Sequence, residues 1–317
     1  MRGRSIMTLA LGVLAAHVCS GAAAEPPDNP PNLAFVPGDA PGQFRFDTGE
    51  LRGEMYAGTR SLGLLPVVHV PTGTPLASSY GLVNYYRVFK TDHRFVESMR
   101  ELPSASRILS DGALEVHWPA NDERPFALTG VYRWTAPNIL DIETTVTAKT
   151  ELPDFEVFLS SYLTEQQPIS HVYVKETPDG RENAFMGARE DYGVWQVYPR
   201  DTEALAIVED GRWTKPPSPV DWAVMPDIAA PLVYRRSVSA DVTVVTMAPP
   251  DDAFAVFSSC EGETHFSMYF GLYGQALAEG ETAKVASRLQ VITDAADADI
   301  VEAYRAYLEA GQKEERQ

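Results

Sequence analysis

"ILDIETTVTA", residues 139–148, decides the fold class. Leu140, Ile142, Thr144, Val146 and Ala148 fall on one side of an extended chain, and Asp141, Glu143, Thr145 and Thr147 fall on the other. Alternation with period two marks an antiparallel strand with one face on a core and the other in water. The preceding "VYRW" (131–134) is joined to it by the turn-rich "TAPN", so the two segments are expected to form a hairpin. Similar runs recur in "ALEVHWP" (113–119), "HVYVKE" (171–176), "EALAIVED" (203–210), "PLVYRRSV" (231–238), "DVTVVTM" (241–247), "AFAVFSS" (253–259) and "AKVASRLQVI" (283–292). Pro, Asn and Asp-Gly punctuate them, with "SDGA" (110–113) and "EDGR" (209–212) the tightest turn signals. Many short strands between turns indicate a sandwich or barrel. One helix closes the chain: from Asp297, the residues Ile300, Tyr304, Tyr307 and Leu308 recur at helical spacing, and Gly311 is a stop signal. It is expected to brace a sheet edge.

The two ends read differently from this body. Arg2 and Arg4 precede the apolar "IMTLALGVLAA" (6–16), and Ala22-Ala23-Ala24 supplies an A-x-A cleavage site, so residues 1–24 read as a signal peptide for export to the periplasm or beyond. The apolar run is shorter than the roughly 20 residues a membrane-spanning helix needs, so no membrane insertion is expected after cleavage. "EPPDNPPN" (25–32) opens a Pro-rich, disordered leader taken to residue 34. Residues 35–311 then form a single β domain, with 312–317 a frayed tail. Nothing inside the body resembles a linker or a repeat of 20–50 residues.

The formal charge is -18. A surface that binds phosphates needs clustered cations, so nucleic acid and anionic membrane are poor partners. Cys260 is the one cysteine beyond the signal, in the buried-looking "VFSSC", so no intrachain disulfide is expected and an inert packed thiol is the reading. No glycine pattern for nucleotide cofactors and no G-x-S-x-G elbow is present. His69, His93, His117, His171 and His265 are scattered without metal-ligand spacing. "DAADAD" (294–299) lacks the glycine and distal glutamate of a calcium loop and reads as a charge cluster at a helix start. Neither a cofactor nor a metal is expected.

Three longer stretches carry a family resemblance. "LRGEMYAGTRSLGLLPVVHVPTG" (51–73) resembles the opening of galactose mutarotase-like domains, where an arginine-bearing strand precedes a Gly-rich turn. "LDIETTVTAKTELPDFEVFLSSYL" (140–163) is similar to their central strand pair, and "GLYGQALAEGETAKVASRLQVI" (271–292) to their closing strand. The resemblance implies a large antiparallel two-sheet supersandwich with a short C-terminal helix. That fold serves sugar epimerases and accessory domains of glycosidases and polysaccharide lyases, so the implied partner is a sugar or polysaccharide. One departure matters. Where the epimerase pattern places its acid histidine, this chain has Ser160, followed by Ser161-Tyr162-Leu163. Opening an aldose ring needs a proton donor at the ring oxygen, which a serine hydroxyl does not supply at neutral pH. A standard aldose 1-epimerase is therefore not expected, and a fold alone would not license that activity.

"NYYRVFKTDHRF" (84–95) is the strongest candidate for a site wall. As a regular strand it would place Asn84, Tyr86, Val88 and Lys90 on one face and Tyr85, Arg87, Phe89 and Thr91 on the other. It reads either as an edge strand protected by its cations, or as a groove wall. In the second reading His93, Arg87 and Tyr86 are the catalytic candidates, with His93 available for proton transfer and a tyrosine stacked on the sugar. Arg60, Asn84, Tyr85, Arg94 and Tyr162 join as substrate-binding candidates. Trp195 in "YGVWQV" is a further stacking candidate. The Pro-rich "TKPPSPVDW" (214–222) must be a loop, which places Trp213, Asp221 and Trp222 at a sheet rim. Two functions stay open: an exported carbohydrate-active protein, or a non-catalytic structural or protein-interaction domain of the envelope.

Overall fold

The computed structural model describes residues 32–314. The signal segment, the leader up to residue 31 and residues 315–317 lie outside the described residues. Strands dominate, and the hairpin expected around Pro137-Asn138 is present as Phe126–Ala136 paired with Ile139–Ala148. Buried and half-buried residues alternate along Ile139–Ala148 as the sequence pattern requires, with Leu140, Ile142, Thr144, Val146 and Ala148 inside.

Two large sheets form the sandwich. The nine-stranded sheet runs in space Glu182–Gly187, Ser170–Glu176, Ile228–Arg236, Val242–Met247, Thr282–Thr293, Ile139–Ala148, Phe126–Ala136, Leu114–Trp118 and Ala105–Ile108. The seven-stranded sheet runs Ala223–Val224, Trp195–Pro199, Ala253–Ser259, Ser267–Leu277, Leu152–Tyr162, Asn84–Lys90 and His93–Val96. Their pairings are antiparallel, apart from the short parallel contact of Trp195–Pro199 with Ala223–Val224. Between the sheets lies one core, in which Leu128, Ile142, Val244 and Leu289 meet Val88, Val157, Leu159 and Phe270. A five-stranded sheet, from Val36–Pro37 to Thr74–Pro75, adds Phe46, Leu51, Met55, Leu64 and Val67 to that core.

The outer faces are also covered in part. Ile300, Tyr304 and Tyr307 of the terminal helix Asp297–Glu314 pack on Leu232, Tyr234, Val245 and Met247 of the nine-stranded sheet. The helix therefore lies on a face, not along an edge, because the outward side chains of Ile228–Arg236 and Val242–Met247 are themselves apolar. Gly311 does not end it. An exposed glycine costs about 1 kcal/mol relative to alanine, which weakens a last turn without breaking it. No described helix is long and apolar enough to cross a membrane.

A second correction concerns "EALAIVED". Thr202–Val208 is a helix, and the Asp201 carboxylate accepts the Ala204 backbone N–H at 2.8 Å. Ala204 and Val208 are its buried positions, four residues apart. An Asp cap ahead of apolar residues at that spacing is a helix signal, and it outweighs the alternation. This helix begins the segment that crosses the outer face of the seven-stranded sheet.

Candidate functional site

The 84–95 stretch is a hairpin of two strands, Asn84–Lys90 and His93–Val96, with Thr91-Asp92 in the turn and Asp92 at φ 48°. Only the second strand is a sheet edge. The first pairs with Leu152–Tyr162, where Val88 lies opposite Val157 and Tyr85 opposite Leu159. Three steps along one strand thus match two along the other. This is a β-bulge, which re-aims side chains locally.

Its consequence is that Tyr86 and Arg87 share the outer face, while Tyr85 and Val88 both turn into the core. Tyr85 is fully buried, its hydroxyl 2.8 Å from Thr144 Oγ1 and its ring edge-on to Trp118 at 5.5 Å. Gly130 makes room for it, since a Cβ there would lie 2.6 Å from the Tyr85 hydroxyl. Tyr85 is therefore no groove residue, and the simple two-face assignment of the stretch fails at the bulge.

Around the outward residues the chain builds a bowl of aromatic rings. Phe158 lies at its floor, with ring centroids at 4.6 Å from Tyr269, 4.9 Å from Trp213, 5.0 Å from Phe257, 6.4 Å from Trp222 and 6.5 Å from Tyr86. Farther along the same strand, Tyr162 packs on Tyr269 at 5.6 Å and on Tyr80 at 5.1 Å. His265 closes the far side, 5.8 Å from both Tyr80 and Trp195. Tyr80 is exposed, and Tyr86, Trp195, Trp222 and His265 are half-buried, so the wall keeps open ring faces. Trp213 is buried beneath them, packed on Phe89 at 4.6 Å.

The loop 214–222 is tied onto this face by the arginines of the hairpin. Arg94 Nη1 donates to the Pro217 carbonyl at 2.6 Å, and its other nitrogens donate to the carbonyls of Val96 and Glu97. Arg87 Nη2 donates to the Ser218 carbonyl at 2.9 Å. Arg94 is thus a strut and has no free fork for a ligand. Deeper, Arg212 bonds Glu156 and Asp210 at 3.0 and 2.9 Å. Burial pushes the Glu156 carboxyl up to about 7, against the pull of Arg212.

Arg100, which sequence reasoning did not single out, stands beside Tyr86. Its guanidinium carbon lies 4.6 Å from the Tyr86 centroid, 4.7 Å from Tyr80 and 5.2 Å from Tyr162. Nη1 reaches the Asn84 side-chain oxygen at 3.4 Å, and Nε has no hydrogen bond among the described residues. Asn84 is itself fixed, donating to the Tyr80 carbonyl at 2.9 Å and accepting from the Ser160 hydroxyl at 3.0 Å. Ser160 is fully buried. Arg60 lies next door but is spent: Nε and Nη2 hold Glu101 at 2.6 and 2.7 Å, and that bond keeps the Glu101 carboxyl below its ordinary range. Tyr86, Arg100, Glu101, Glu97 and Ser98 line an open cleft of about 580 Å³.

His93 sits apart. It is exposed on the edge strand, edge-on to Phe95 at 4.7 Å, and partial burial followed by Lys90 and Lys215 lowers its affinity for a proton. It has no ring contact with the bowl. The histidine that does reach the bowl is His265, whose Nδ1 lies 2.5 Å from Glu263 Oε1. Asp221 is exposed, next to Trp222. Of the sequence candidates, the structure gathers Tyr86, Arg87, Asn84, Tyr162, Trp195, Trp213 and Trp222; it adds Tyr80 and Arg100, which flank the 84–95 stretch, and His265 from a segment remote in sequence.

No family model matches the sequence, and no curated protein matches it. Solved structures do. A protein from Synechocystis sp. PCC 6803 superposes with a TM-score of 0.52 at 12% identity, over 83% of this chain and 99% of that one. The galactose mutarotase related enzyme of Lactobacillus acidophilus superposes with a TM-score of 0.50 at 9% identity, over 80% of this chain and 98% of its own. The fold is galactose mutarotase-like. At such identities the likeness speaks for the architecture, and the chemistry has to be read from the side chains.

Proposed function

We propose that this chain is an exported carbohydrate-active protein that holds a sugar or polysaccharide segment in the aromatic bowl on the outer face of the seven-stranded sheet. The observation that carries the reading is the bulge at Tyr86-Arg87, which sets Arg87 beside Tyr86 on the face shared by Phe158 and Tyr162. Sugars bind on such surfaces because the C–H groups of a pyranose pack on ring faces while arginine and amide groups bond the hydroxyls. The name of the Lactobacillus structure, a galactose mutarotase related enzyme, points the same way.

If the ligand is turned over, His265 is the proton-transfer group. Glu263 accepts from Nδ1, fixing the tautomer and leaving Nε2 for the substrate. An ordinary aldose 1-epimerase reaction is not the proposal, since Ser160, which the resemblance sets against the acid histidine, is buried and bonded to Asn84.

A glycan array probed with residues 25–317 tests the reading, with Tyr86→Ala and Trp222→Ala alongside. Binding to a glycan that both variants weaken supports it. Binding to none returns the chain to a structural or protein-interaction role in the envelope.

A further inference from the structure

Arg87 and Arg100 are two buried cations on one ring. Arg87 is 3% exposed and Arg100 7% exposed, and their guanidinium carbons lie 5.0 and 4.6 Å from the Tyr86 centroid. Neither is hydrogen-bonded to a carboxylate among the described residues. Arg87 gives Nη2 to the Ser218 carbonyl and, at 3.4 Å, to the Tyr86 hydroxyl, while Nε and Nη1 have no partner there. Arg100 has its long bond to Asn84, a side-chain bond to the Tyr162 hydroxyl and a loose ion pair of 3.9 Å with Glu101, whose carboxylate is held from both oxygens by Arg60. Glu156, which Arg87 also feels, is engaged by Arg212.

Burying a cation whose only carboxylate is a distant, shared one costs several kcal/mol. The ring faces around Arg100 offset part of that cost, since a cation is attracted to an aromatic face. A chain of formal charge -18 has no shortage of carboxylates, yet none is bonded to these two arginines. Arg100 also stands on the wall of the 580 Å³ cleft, with Tyr86 beside it.

We propose that the sugar taken by this site is anionic, a pyranose whose oxyanion is bound by Arg100 in the field of Arg87 while its ring rests against Tyr86 and Tyr80. The oxyanion is a uronate carboxylate or a sulfate ester, both of which match the guanidinium fork. This deepens the carbohydrate reading and rests on it. The overall acidity of the chain works against indiscriminate polyanion binding, so affinity for an acidic glycan reports on a local site.

The test is calorimetric titration of residues 25–317 with oligogalacturonate, oligoglucuronate, alginate oligomers and heparan sulfate oligomers. Carboxyl-reduced and desulfated counterparts of the same oligomers are the controls. Expected is binding to at least one acidic oligomer, at least tenfold weaker or lost once its anionic group is removed, and weakened as salt rises. Uronate-only and sulfate-only responses identify which oxyanion is read. Arg100→Gln should weaken the acidic ligand about tenfold or more, and its neutralised counterpart far less, so the gap between the two ligands closes. Should that variant misfold, the comparison of native with neutralised ligand on the wild type still decides. Equal binding of neutral and acidic oligomers overturns the anionic inference and leaves the carbohydrate reading standing. Binding of neither overturns both.

Discussion

Arg212 Nη1 donates to Glu156 Oε2 over 3.0 Å, and neither side chain is reached by solvent. The bond joins the crossing segment to the central strand Leu152–Tyr162, directly beneath Trp213. Burial raises the Glu156 carboxyl from 4.5 to about 7, so the folded state takes up its proton more readily than the unfolded state. A raised carboxyl contributes stability at low pH that is lost as pH rises through the folded value. Relative to Glu156→Gln, the wild type should lose up to about 3 kcal/mol of unfolding free energy between pH 4.5 and 8. Urea melts of both proteins across that range measure it; a constant difference would contradict the assignment.

Tyr85 and Tyr86 should separate cleanly by mutation. Tyr85→Phe removes the bond to Thr144 and should cost about 1 kcal/mol of stability, and Tyr85→Ala about 3–5 kcal/mol. Neither should change ligand affinity in the folded fraction. Tyr86→Ala should cost less than about 2 kcal/mol of stability and weaken glycan binding roughly tenfold. Denaturation curves paired with binding isotherms check both halves. Loss of binding in Tyr85→Phe at full stability would place the groove on the wrong face.

The contrast between these neighbours shows what the sequence carries. The strand pattern was legible because Leu140, Ile142, Thr144, Val146 and Ala148 obey a strict period of two. The bulge was not, since one extra residue flips the facing of Arg87 without any change in composition. Thr202–Val208 misread as strand because Ala, Leu, Ile and Val suit both elements, and the deciding signal was the single cap Asp201. The site itself was half legible. Tyr86, Arg87, Asn84, Tyr162, Trp213 and Trp222 carried their chemistry in plain view. Tyr80, Arg100 and His265 did not, because their value comes from the rings the fold packs beside them, Tyr86 and Tyr162 around Arg100 and Trp195 beside His265.

Aldose 1-epimerase activity should be absent. Ser160 gives its hydroxyl proton to Asn84, and its pKa lies far from the range of a useful acid at neutral pH. Polarimetry on glucose and galactose should show mutarotation at the spontaneous rate; a clear acceleration by wild type that His265→Ala retains would mean another acid serves the ring oxygen.

The proposed export makes its own prediction. Expressed in full from a Gram-negative host, the chain should be recovered outside the cytoplasm with Glu25 as its first residue. N-terminal sequencing reads this directly, and an intact Met1 on periplasmic protein would contradict cleavage after Ala24.

The central claim is the place of the sugar. Crystals grown with the oligosaccharide that binds best should show its electron density over the Tyr86 ring, within contact of Tyr80 and Trp222 and with a polar group at Arg100. Density for that sugar on the five-stranded sheet, on the nine-stranded sheet or at the edge strand beside His93, with the bowl empty, would contradict the account.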